Sequence, residues 1–230
     1  SRTNYYKKSI ILILKTIGVD IKKLEFVKGS DIQREGKYFE NVLKLSMVSS
    51  VRDCKKSASE VVKMSDNPKL GNLIYPVMQA LDEEYLNVDI QYAGLDQRKI
   101  MVYARENLPK IGYKPRIELM SPMIRGLIGE KMSSSVEATK IDLLDSEESI
   151  KKKINGAECI EGDLNNGIIS LLKYLIMILK MDKTESLIVE RSEKFGGNIK
   201  YSSYEEIEND FKAKRLHPLD LKNTVSKELI

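Results

Sequence analysis

The sequence predicts an α/β fold with a parallel sheet, followed by a helical C-terminal half. Strand and helix patterns alternate in the middle of the chain, with strands expected at 88–92 and 116–119 and a helix at 97–108. Strands separated by a helix pair in parallel, and the ligands of such sheets bind at the carboxyl ends of the strands. Past Asp145 the apolar spacing is that of helices alone. We therefore expect a domain boundary within residues 136–146.

The first segment of the chain has the apolar spacing of a helix, carried by Ile10, Leu14 and Ile17. Gly18 is expected to end this helix, because glycine tolerates the left-handed backbone of a helix terminus. A short strand is expected at 24–27. The apolar residues of the next segment predict helical structure, divisible into two helices, over residues 38–63.

Proline and capping residues predict where several later helices begin. Pro76 lies inside an apolar run, so a helix there is expected to begin close to Tyr75, with the proline in its first turn. Pro218 is expected in the first turn of the last helix for the same reason. Two further spacings are typical of capping boxes, in which a short side chain and a glutamate cap the same helix start. These pairs are Asp145 with Glu148 and Ser203 with Glu206.

Composition excludes several classes of protein without selecting one. The 230 residues are 42% hydrophobic, which is enough for one large domain or two small ones. Because 38 Lys and Arg stand against 34 Asp and Glu, the net charge of +4 does not by itself predict a nucleic-acid partner. One histidine, His217, does not supply a histidine-based zinc or haem site, and two cysteines fit a reducing compartment. No apolar run approaches the ~20 residues of a membrane span.

A glycine-flanked loop carries one lysine and three consecutive serines. The lysine supplies a point charge, the serines supply directed hydrogen bonds, and the glycines supply backbone freedom. Such a loop can close over a polyphosphate and stabilise the charge that develops during phosphoryl or adenylyl transfer. The alternative is a solvated surface loop. The residues concerned are Gly126, Gly129, Lys131, Ser133, Ser134 and Ser135.

Three polar residues with helical spacing form a second candidate site. Tyr75, Gln79 and Asp82 are four and three residues apart, so a helix projects all three from one face. A phenol, an amide and a carboxylate on one face can bind a small polar molecule that has both an amine and a hydroxyl group. The alternative is a polar stripe that faces solvent.

A third candidate site follows the strand predicted at 88–92. Gly94 permits a ligand to approach the backbone closely at the end of this strand. Asp96 can accept hydrogen bonds from ribose hydroxyls, as acidic residues do at strand ends of nucleotide-binding sheets. The alternative is a tight structural turn.

Together these segments resemble the tyrosyl-tRNA synthetases of the archaeal and eukaryotic type, which are class I aminoacyl-tRNA synthetases. The loop has the KMSSS form of their KMSKS nucleotide motif. The second site and the sequence Gly-x-Asp-Gln-Arg-Lys that begins at Gly94 match the same family. Five further blocks stand in family order, so the likeness covers nearly the whole chain. These blocks are 82–86, 119–123, 140–145, 194–197 and 217–223.

The resemblance implies a division into domains. Residues 1–145 would form the second half of a Rossmann-like parallel-sheet catalytic domain, and 146–230 an all-α anticodon-binding domain. The helical region at about 38–63 would contribute to dimer formation and meet the tRNA acceptor end. Its apolar residues exceed what one outward helix face needs, and a twofold interface would bury them; the alternative is that the N-terminal region of the family covers them within one chain. These residues are Val42, Leu43, Leu45, Met47, Val48 and Val51. The KMSSS loop would occupy 126–136.

The resemblance also implies how the substrates would bind. Tyr75, Gln79 and Gln97 would hold the amino group and backbone of L-tyrosine. Asp82 would accept a hydrogen bond from the substrate phenol, which would select tyrosine over phenylalanine because a buried polar group left without a partner is costly.

For ATP, the resemblance implies that Gly94 and Asp96 approach the ribose. Met120 and Met123 would border the adenine, with plain core packing as the alternative. Lys131 and the three serines of the loop would cover the triphosphate. Mg²⁺ would be carried by the nucleotide, without a dedicated protein site, and no other metal is implied.

For tRNA(Tyr), Phe195 would be a platform for an unstacked anticodon base and Asp220 would read a base edge. The alternatives are core packing for Phe195 and favourable N-terminal helix electrostatics for Asp220. Lys55 and Lys56 would lie near the acceptor end, with a solvated helix face as the alternative. A cytoplasmic homodimer without membrane contact is expected.

One departure from the family affects the expected activity. The family has a further N-terminal region with a HIGH-type ATP motif and another tyrosine that contacts the substrate phenol, and neither has a candidate here before residue 75. We therefore expect a fragment that lacks part of the active site. The alternative function is that of a tRNA-binding or dimer-forming relative without aminoacylation activity.

Overall fold

The computed structural model describes residues 2–62, 65–132 and 136–230. The chain divides into two compact units, which we call the sheet unit and the helical unit. They consist of Lys22–Met123 for the sheet unit, and of Ser1–Ile21 with Ile124–Ile230 for the helical unit. The functional division expected at residue 145 stays a prediction, because compactness does not assign a role to either unit.

Helices and strands are numbered along the whole chain. The first helix, α1 (Arg2–Thr16), belongs to the helical unit. The elements of the sheet unit are α2 (Gly29–Ile32), α3 (Gly36–Met47), α4 (Val51–Ser57), α5 (Leu70–Tyr85), β1 (Ile90–Gly94), α6 (Arg98–Asn107) and β2 (Ile117–Ser121). The helical unit continues with α7 (Glu147–Gly156), α8 (Gly167–Leu171), α9 (Met177–Asp182), β3 (Leu187–Val189), β4 (Ile199–Tyr201), α10 (Tyr204–Lys212) and α11 (Pro218–Leu229).

The two strands of the sheet unit pair in parallel, with residues 90–94 opposite residues 117–121. Because α6 connects β1 to β2, the predicted strand–helix–strand alternation is confirmed. Side chains alternate across a strand, so the first and third residues of both strands project from one face. All four are apolar and at least 49% exposed. They are Ile90, Tyr92, Ile117 and Leu119.

Helices α3, α5 and α6 build the core of the sheet unit. Tyr38 of α3, Leu81 of α5 and Ala104 of α6 belong to one cluster in which each is at most 1% exposed. Burial of a side chain the size of leucine contributes about 1.5–3 kcal/mol to stability. The core therefore fixes which face of α5 points inward and which face is left for polar groups.

Two expectations for the sheet unit were wrong. Helix α5 begins at Leu70 rather than close to Tyr75, so Pro76 lies beyond the first turn. The proline removes one backbone hydrogen bond, but the turn before it is held by Leu73 and Ile74, which pack against the core. Residues 24–27 form no strand. Leu24 and Val27, the first and last residues of this segment, are both exposed, so burial does not stabilise a strand there.

The core of the helical unit joins its helices to the base of the KMSSS loop. Ile154 of α7, Ile168 of α8 and Leu221 of α11 are fully buried in one cluster. Leu127, which lies just before the loop, belongs to the same cluster and is also fully buried. The loop therefore starts from a fixed point of this unit.

Several predicted helix ends are confirmed. Gly18 has a positive φ of 86° and lies two residues past the end of α1, as a left-handed terminus. Ser203 and Glu206 form a reciprocal capping box at the start of α10. Pro218 is the first residue of α11. None of the helices that the structure describes is long and apolar enough to cross a membrane.

Two features of the helical unit differ from the sequence-based expectations. Ser146, not Asp145, caps α7 by accepting a hydrogen bond from the Ser149 amide at 3.2 Å. Asp145 instead accepts from Lys153 Nζ at 2.7 Å. The expectation of helices alone past Asp145 is incomplete, because β3 and β4 form an antiparallel pair. Strands of three residues are too short to show an alternating pattern.

Candidate functional site

Helix α5 presents the first candidate set on the face opposite its core residues. Tyr75 is 46% exposed, while Gln79 and Asp82 are half-buried. The core-facing positions Val77 and Leu81 are at most 1% exposed, so their burial orients the whole helix. The helical spacing predicted from the sequence therefore does put the phenol, the amide and the carboxylate on one side.

A hydrogen-bonded chain links Gln79 to the end of β1. Gln79 Nε2 donates to Gln97 Oε1 at 3.1 Å, and Gln97 Nε2 donates to Asp96 Oδ2 at 3.1 Å. These bonds orient Gln79 so that its amide oxygen is free. Gln79 Oε1 is buried and has no hydrogen-bond partner in the part of the chain that the structure describes. A buried acceptor of this kind costs free energy unless a ligand supplies a donor.

The turn after β1 requires glycine at position 94. A Cβ built on Gly94 would lie 2.6 Å from Asp96 Oδ1, closer than real Cβ contacts. The Asp96 carboxylate therefore folds back over the strand end, beside the Gln97 amide. The carboxyl end of a parallel strand is the usual ligand position in this class of fold.

The two candidate methionines lie at the same end of the sheet unit. Met120 is paired with Ala93 in the parallel register, and Met123 Sδ lies 3.8 Å from the position of a Cβ on Gly94. Met123 is 40% exposed and Met120 is half-buried. Neither belongs to the fully buried core, so the structure does not support the core-packing alternative for them.

Asp82 has two partners that the sequence did not reveal. Tyr38 donates its hydroxyl to Asp82 Oδ1 at 2.8 Å, and Gln33 Nε2 lies 3.0 Å from Oδ1 and 3.2 Å from Oδ2. Burial and the adjacent carboxylate raise the pKa of the Tyr38 phenol well above its ordinary value. Tyr38 therefore acts as a neutral donor to Asp82 at every physiological pH.

Sequence reasoning missed these two residues because no local pattern marks them. Gln33 follows the short helix α2, and Tyr38 lies on α3, more than forty positions before Asp82. Tyr38 is 1% exposed, like an ordinary core residue, and only the position of its hydroxyl reveals the hydrogen bond to Asp82. Tyr38 contacts the Asp82 carboxylate, which is a different role from that of the family's N-terminal tyrosine, expected to contact the substrate phenol itself.

The loop candidates lie in the helical unit. Lys131 is exposed, whereas Ser133, Ser134 and Ser135 lie outside the described residues. The stem of the loop is held by backbone bonds. Leu127 N donates to Thr139 O at 2.9 Å, and Leu127 O accepts from Glu158 N at 2.7 Å.

The second glycine of the loop is fixed from the helical unit as well. Gly129 has a positive φ of 72°, which a residue with a Cβ rarely adopts. Its amide donates to the Glu158 carboxylate at 2.9 Å. The backbone two residues before Lys131 is thereby tied to the segment that follows α7.

Two glycines permit close backbone contacts at the base of the loop, Gly167 between α8 and the loop and Gly126 within the loop itself. A Cβ built on Gly167 would lie 2.3 Å from the carbonyl oxygen of Gly126. A Cβ on Gly126 would in turn lie 2.9 Å from the carbonyl oxygens of Ile128 and Lys131. Helix α8 therefore approaches the Gly126 backbone closely only because Gly167 has no side chain, and the loop closes on its own backbone only because Gly126 has none.

We expect Gly167→Ala to lower the free energy of unfolding by about 1–3 kcal/mol or more, the usual cost of overpacking. The added methyl group meets backbone, which cannot move aside as a flexible side chain can. Thermal and urea unfolding measure the effect. Gly156→Ala is the matched control, since a Cβ there has nothing within 4 Å. Equal stability of the two variants would contradict the close approach.

The anticodon candidates differ in what surrounds them. Phe195 is 65% exposed, with Lys194 Nζ 5.8 Å from its ring centre, so core packing is wrong as its explanation. Asp220 lies in the first turn of α11, and its amide donates to His217 O at 3.0 Å. The electrostatic alternative for Asp220 therefore remains open.

The basic candidates on α4 are placed differently from each other. Lys56 is exposed, as a phosphate contact requires, but a solvated helix face would look the same. Lys55 is half-buried and donates to the carbonyl oxygen of Asp66 at 3.3 Å.

The predicted helical region at 38–63 forms α3 and α4, but only part of it can be an interface. Val42 and Leu45 are buried within the sheet unit at 5% and 0% exposure, so their expected interface role is wrong. Other apolar residues on and between these helices remain exposed, at 37% to 86%. This exposed patch consists of Phe39, Leu43, Met47, Val48 and Val51.

Within residues 2–62, 65–132 and 136–230, no group of three or more His, Cys, Asp or Glu side chains is arranged to hold a metal ion.

Comparison with known proteins identifies relatives along the entire chain. The family model described as tRNA synthetases class I (W and Y) matches residues 1–230. The chain is 48% identical to the cytoplasmic tyrosine--tRNA ligase of Gallus gallus over 229 residues, covering 99% of this chain and 43% of that protein. It is 47% identical to the corresponding Saccharomyces cerevisiae protein over 227 residues, covering 96% of this chain and 58% of that protein.

A solved structure supports the same relationship. The tyrosyl-tRNA synthetase of Archaeoglobus fulgidus, complexed with L-tyrosine, has a TM-score of 0.88 and 40% identity, covering 98% of this chain and 68% of that one. The resemblance to tyrosyl-tRNA synthetases and the α/β fold class are thereby confirmed. The chain spans about half the length of the curated relatives that it matches. Because the family model matches every residue from 1 to 230, the chain belongs to the tRNA synthetases of class I (W and Y).

Proposed function

We propose that the protein ligates L-tyrosine to tRNA(Tyr) with ATP, through a tyrosyl-adenylate intermediate. The observation that carries the proposal is the buried, unpartnered Gln79 Oε1 at the end of the Gln79–Gln97–Asp96 chain. It offers an acceptor to an ammonium group. Asp82, one turn further along α5, offers a second acceptor to a hydroxyl group.

In this proposal L-tyrosine lies along the polar face of α5. Its ammonium group donates to Gln79, with Tyr75 and Gln97 completing the contacts to the amino-acid backbone. Its phenol donates to Asp82. Two acceptors on one helix face favour an amino acid that carries a hydroxyl group besides its ammonium group over an aliphatic one.

ATP is proposed to bind at the carboxyl ends of β1 and β2. Gly94 lets the ribose approach the backbone, and Asp96 accepts from a ribose hydroxyl. Met120 and Met123 border the adenine. Lys131 acts on the triphosphate, together with the three serines that follow Met132. Mg²⁺ is carried by the nucleotide, with no dedicated residues of this chain assigned to it.

The proposed chemistry needs positioning and charge neutralisation more than acid–base groups. The carboxylate of tyrosine attacks the α-phosphorus of ATP, an oxygen–phosphorus bond forms, and pyrophosphate leaves. Lys131 stabilises the negative charge that grows on the triphosphate oxygens, and the α5 face holds the carboxylate in line. A ribose hydroxyl of the tRNA 3′ adenosine then takes the tyrosyl group and releases AMP.

The tRNA contacts are proposed on the same basis. Residues 146–230 would bind the anticodon, with the exposed Phe195 stacking on a base and Asp220 reading a base edge. Residues 1–145 would carry the catalytic role, and Lys56, with Lys55 beside it, would meet the acceptor end. We infer a cytoplasmic location, which the chicken and yeast relatives carry in their names.

Tyrosine-dependent pyrophosphate–ATP exchange tests the proposed function in the complete protein that contains this sequence. Exchange that requires L-tyrosine, followed by transfer to tRNA(Tyr), is the expected result. Binding of tRNA(Tyr) without any exchange would favour the alternative of a tRNA-binding relative that lacks aminoacylation activity.

We further propose a twofold homodimer that buries the exposed patch on α3 and α4. Phe39, Leu43 and Met47 are four residues apart, so they form one apolar stripe on α3. Val48 and Val51 extend it toward α4. Twofold pairing places the same patch against itself and removes the apolar surface from water.

We expect Val48→Asp with Val51→Asp to convert the dimer to monomer, because the charges would be buried without partners. Sedimentation at micromolar concentration measures the change. Ile160→Asp, at a residue 71% exposed in the helical unit, is the control and should leave the dimer intact. A folded wild-type protein that sediments as a monomer would contradict the proposal.

A further inference from the structure

The Asp82 carboxylate has a limited number of acceptor positions. Two carboxylate oxygens offer about four lone-pair sites. Oδ1 receives contacts from Tyr38 OH and Gln33 Nε2, and Oδ2 receives one contact from Gln33 Nε2. Both sites of Oδ1 are therefore used, while Oδ2 keeps one.

Tyr38 is held in place independently of Asp82. Its ring packs edge-on against Tyr85 with the ring centres 4.8 Å apart, while its single hydroxyl proton is shared between Asp82 Oδ1 and the carbonyl oxygen of Met78, each 2.8 Å away. Tyr85 OH in turn accepts from Asn41 Nδ2 at 2.8 Å, and Asn41 is 4% exposed. The donor that holds Oδ1 is thus a rigid part of the core rather than a mobile surface group.

We propose that Gln33 and Tyr38 are positioning residues that hold the Asp82 carboxylate so that Oδ2 presents its remaining acceptor site to the substrate phenol. This inference rests on the proposed function, in which Asp82 faces the tyrosine hydroxyl. Gln33 contacts both carboxylate oxygens and so fixes the plane of the carboxylate, while Tyr38 fixes the position of Oδ1.

Gln33 and Tyr38 together form what we call the Asp82 clamp, and this clamp affects selectivity between tyrosine and phenylalanine. A carboxylate that cannot rotate cannot turn Oδ2 toward water when phenylalanine occupies the site, so the missing hydroxyl leaves an unsatisfied acceptor. Without the clamp, Asp82 can rotate outward and regain hydration. The clamp therefore increases discrimination between tyrosine and phenylalanine more than it increases the affinity for either.

The test compares the affinities of the complete protein for L-tyrosine and L-phenylalanine by calorimetry, which does not require catalysis. We expect Tyr38→Phe to lower the tyrosine-to-phenylalanine affinity ratio about 5- to 10-fold, the value of one hydrogen bond. Gln33→Met, at a half-buried residue, should lower the ratio similarly and provides a second variant if Tyr38→Phe does not fold.

Tyr103→Phe is the matched control. Tyr103 is 3% exposed in the same core, but its hydroxyl bonds to Ser49, so its loss should change stability and leave the ratio unchanged. Unchanged ratios in folded Tyr38→Phe and Gln33→Met would overturn the clamp. Tyrosine binding with no pyrophosphate exchange would instead overturn the proposed function and still leave the ratios to decide the clamp. A wild type that binds no tyrosine would overturn both.

Discussion

Replacing Lys131 with alanine is expected to slow tyrosine-dependent pyrophosphate exchange by about 100- to 1,000-fold. Removal of one preorganised group that stabilises developing charge costs about 2.7–4 kcal/mol in the transition state. The amino acid makes no contact with this lysine in the proposed mechanism, so its affinity should change little. The effect is therefore expected on the rate of adenylate formation, which single-turnover measurements separate from binding.

Lys151→Ala is the control for a general loss of positive charge. Lys151 lies on α7 in the same helical unit, is 59% exposed, and is 3.9 Å from Glu147. Its replacement should leave exchange unchanged. An exchange rate in Lys131→Ala equal to that of Lys151→Ala would remove Lys131 from the mechanism. A parallel loss of tyrosine affinity would show that the lysine contributes to binding rather than to the transition state.

Replacing Asp82 with alanine is expected to bring the activation rates for tyrosine and phenylalanine together. The phenol loses a charged acceptor, and hydrogen bonds to charged groups contribute about 1.5–3 kcal/mol, or roughly 10- to 150-fold. Phenylalanine activation should not fall, because that substrate has no hydroxyl to pair and no longer leaves the Asp82 carboxylate unsatisfied. The ratio of the two kcat/KM values in the exchange reaction measures the effect.

The Asp82→Ala substitution is expected to affect stability as well as substrate selectivity, and the two effects can be measured separately. Asp82→Ala also removes the acceptor of Tyr38 and Gln33, which lowers stability independently of substrate binding. Unfolding should therefore be measured beside activity, and Asp89→Ala, at an exposed carboxylate, serves as the control. Discrimination that stays at the wild-type level in folded Asp82→Ala would mean that Asp82 does not face the substrate phenol.

Local patterns in the sequence were sufficient for much of the site. The spacing of Tyr75, Gln79 and Asp82 determines a common helix face, because the helical period depends on backbone geometry alone. The sequence also predicted that Gly94 and Asp96 lie where a strand ends, and in the structure Gly94 is the last residue of β1 with Asp96 two residues beyond it. These features need no knowledge of distant residues.

Other parts of the fold depended on partners that lie far away in the sequence. Leu24 and Val27 have the composition of a strand, yet they remain exposed and unpaired in the described structure. The helix start predicted from Pro76 lies about one turn too far along the chain, because Leu73 and Ile74 pack against the core and hold the preceding turn in helical form. Tertiary packing overrides intrinsic secondary-structure propensity where it contributes more free energy than one backbone hydrogen bond.

The sequence by itself determined the family, the polar face of α5 and the identity of the loop lysine. Each of these depends on residue types at short, fixed spacings along the chain. Tertiary structure alone decided that Gln33 and Tyr38 contact Asp82, that Gly167 lets α8 approach the loop base, and that Val42 and Leu45 are buried. Each of these depends on atoms brought together from distant positions. A hydrogen bond or a close backbone contact acts over about 3 Å, and only the folded chain sets distances on that scale.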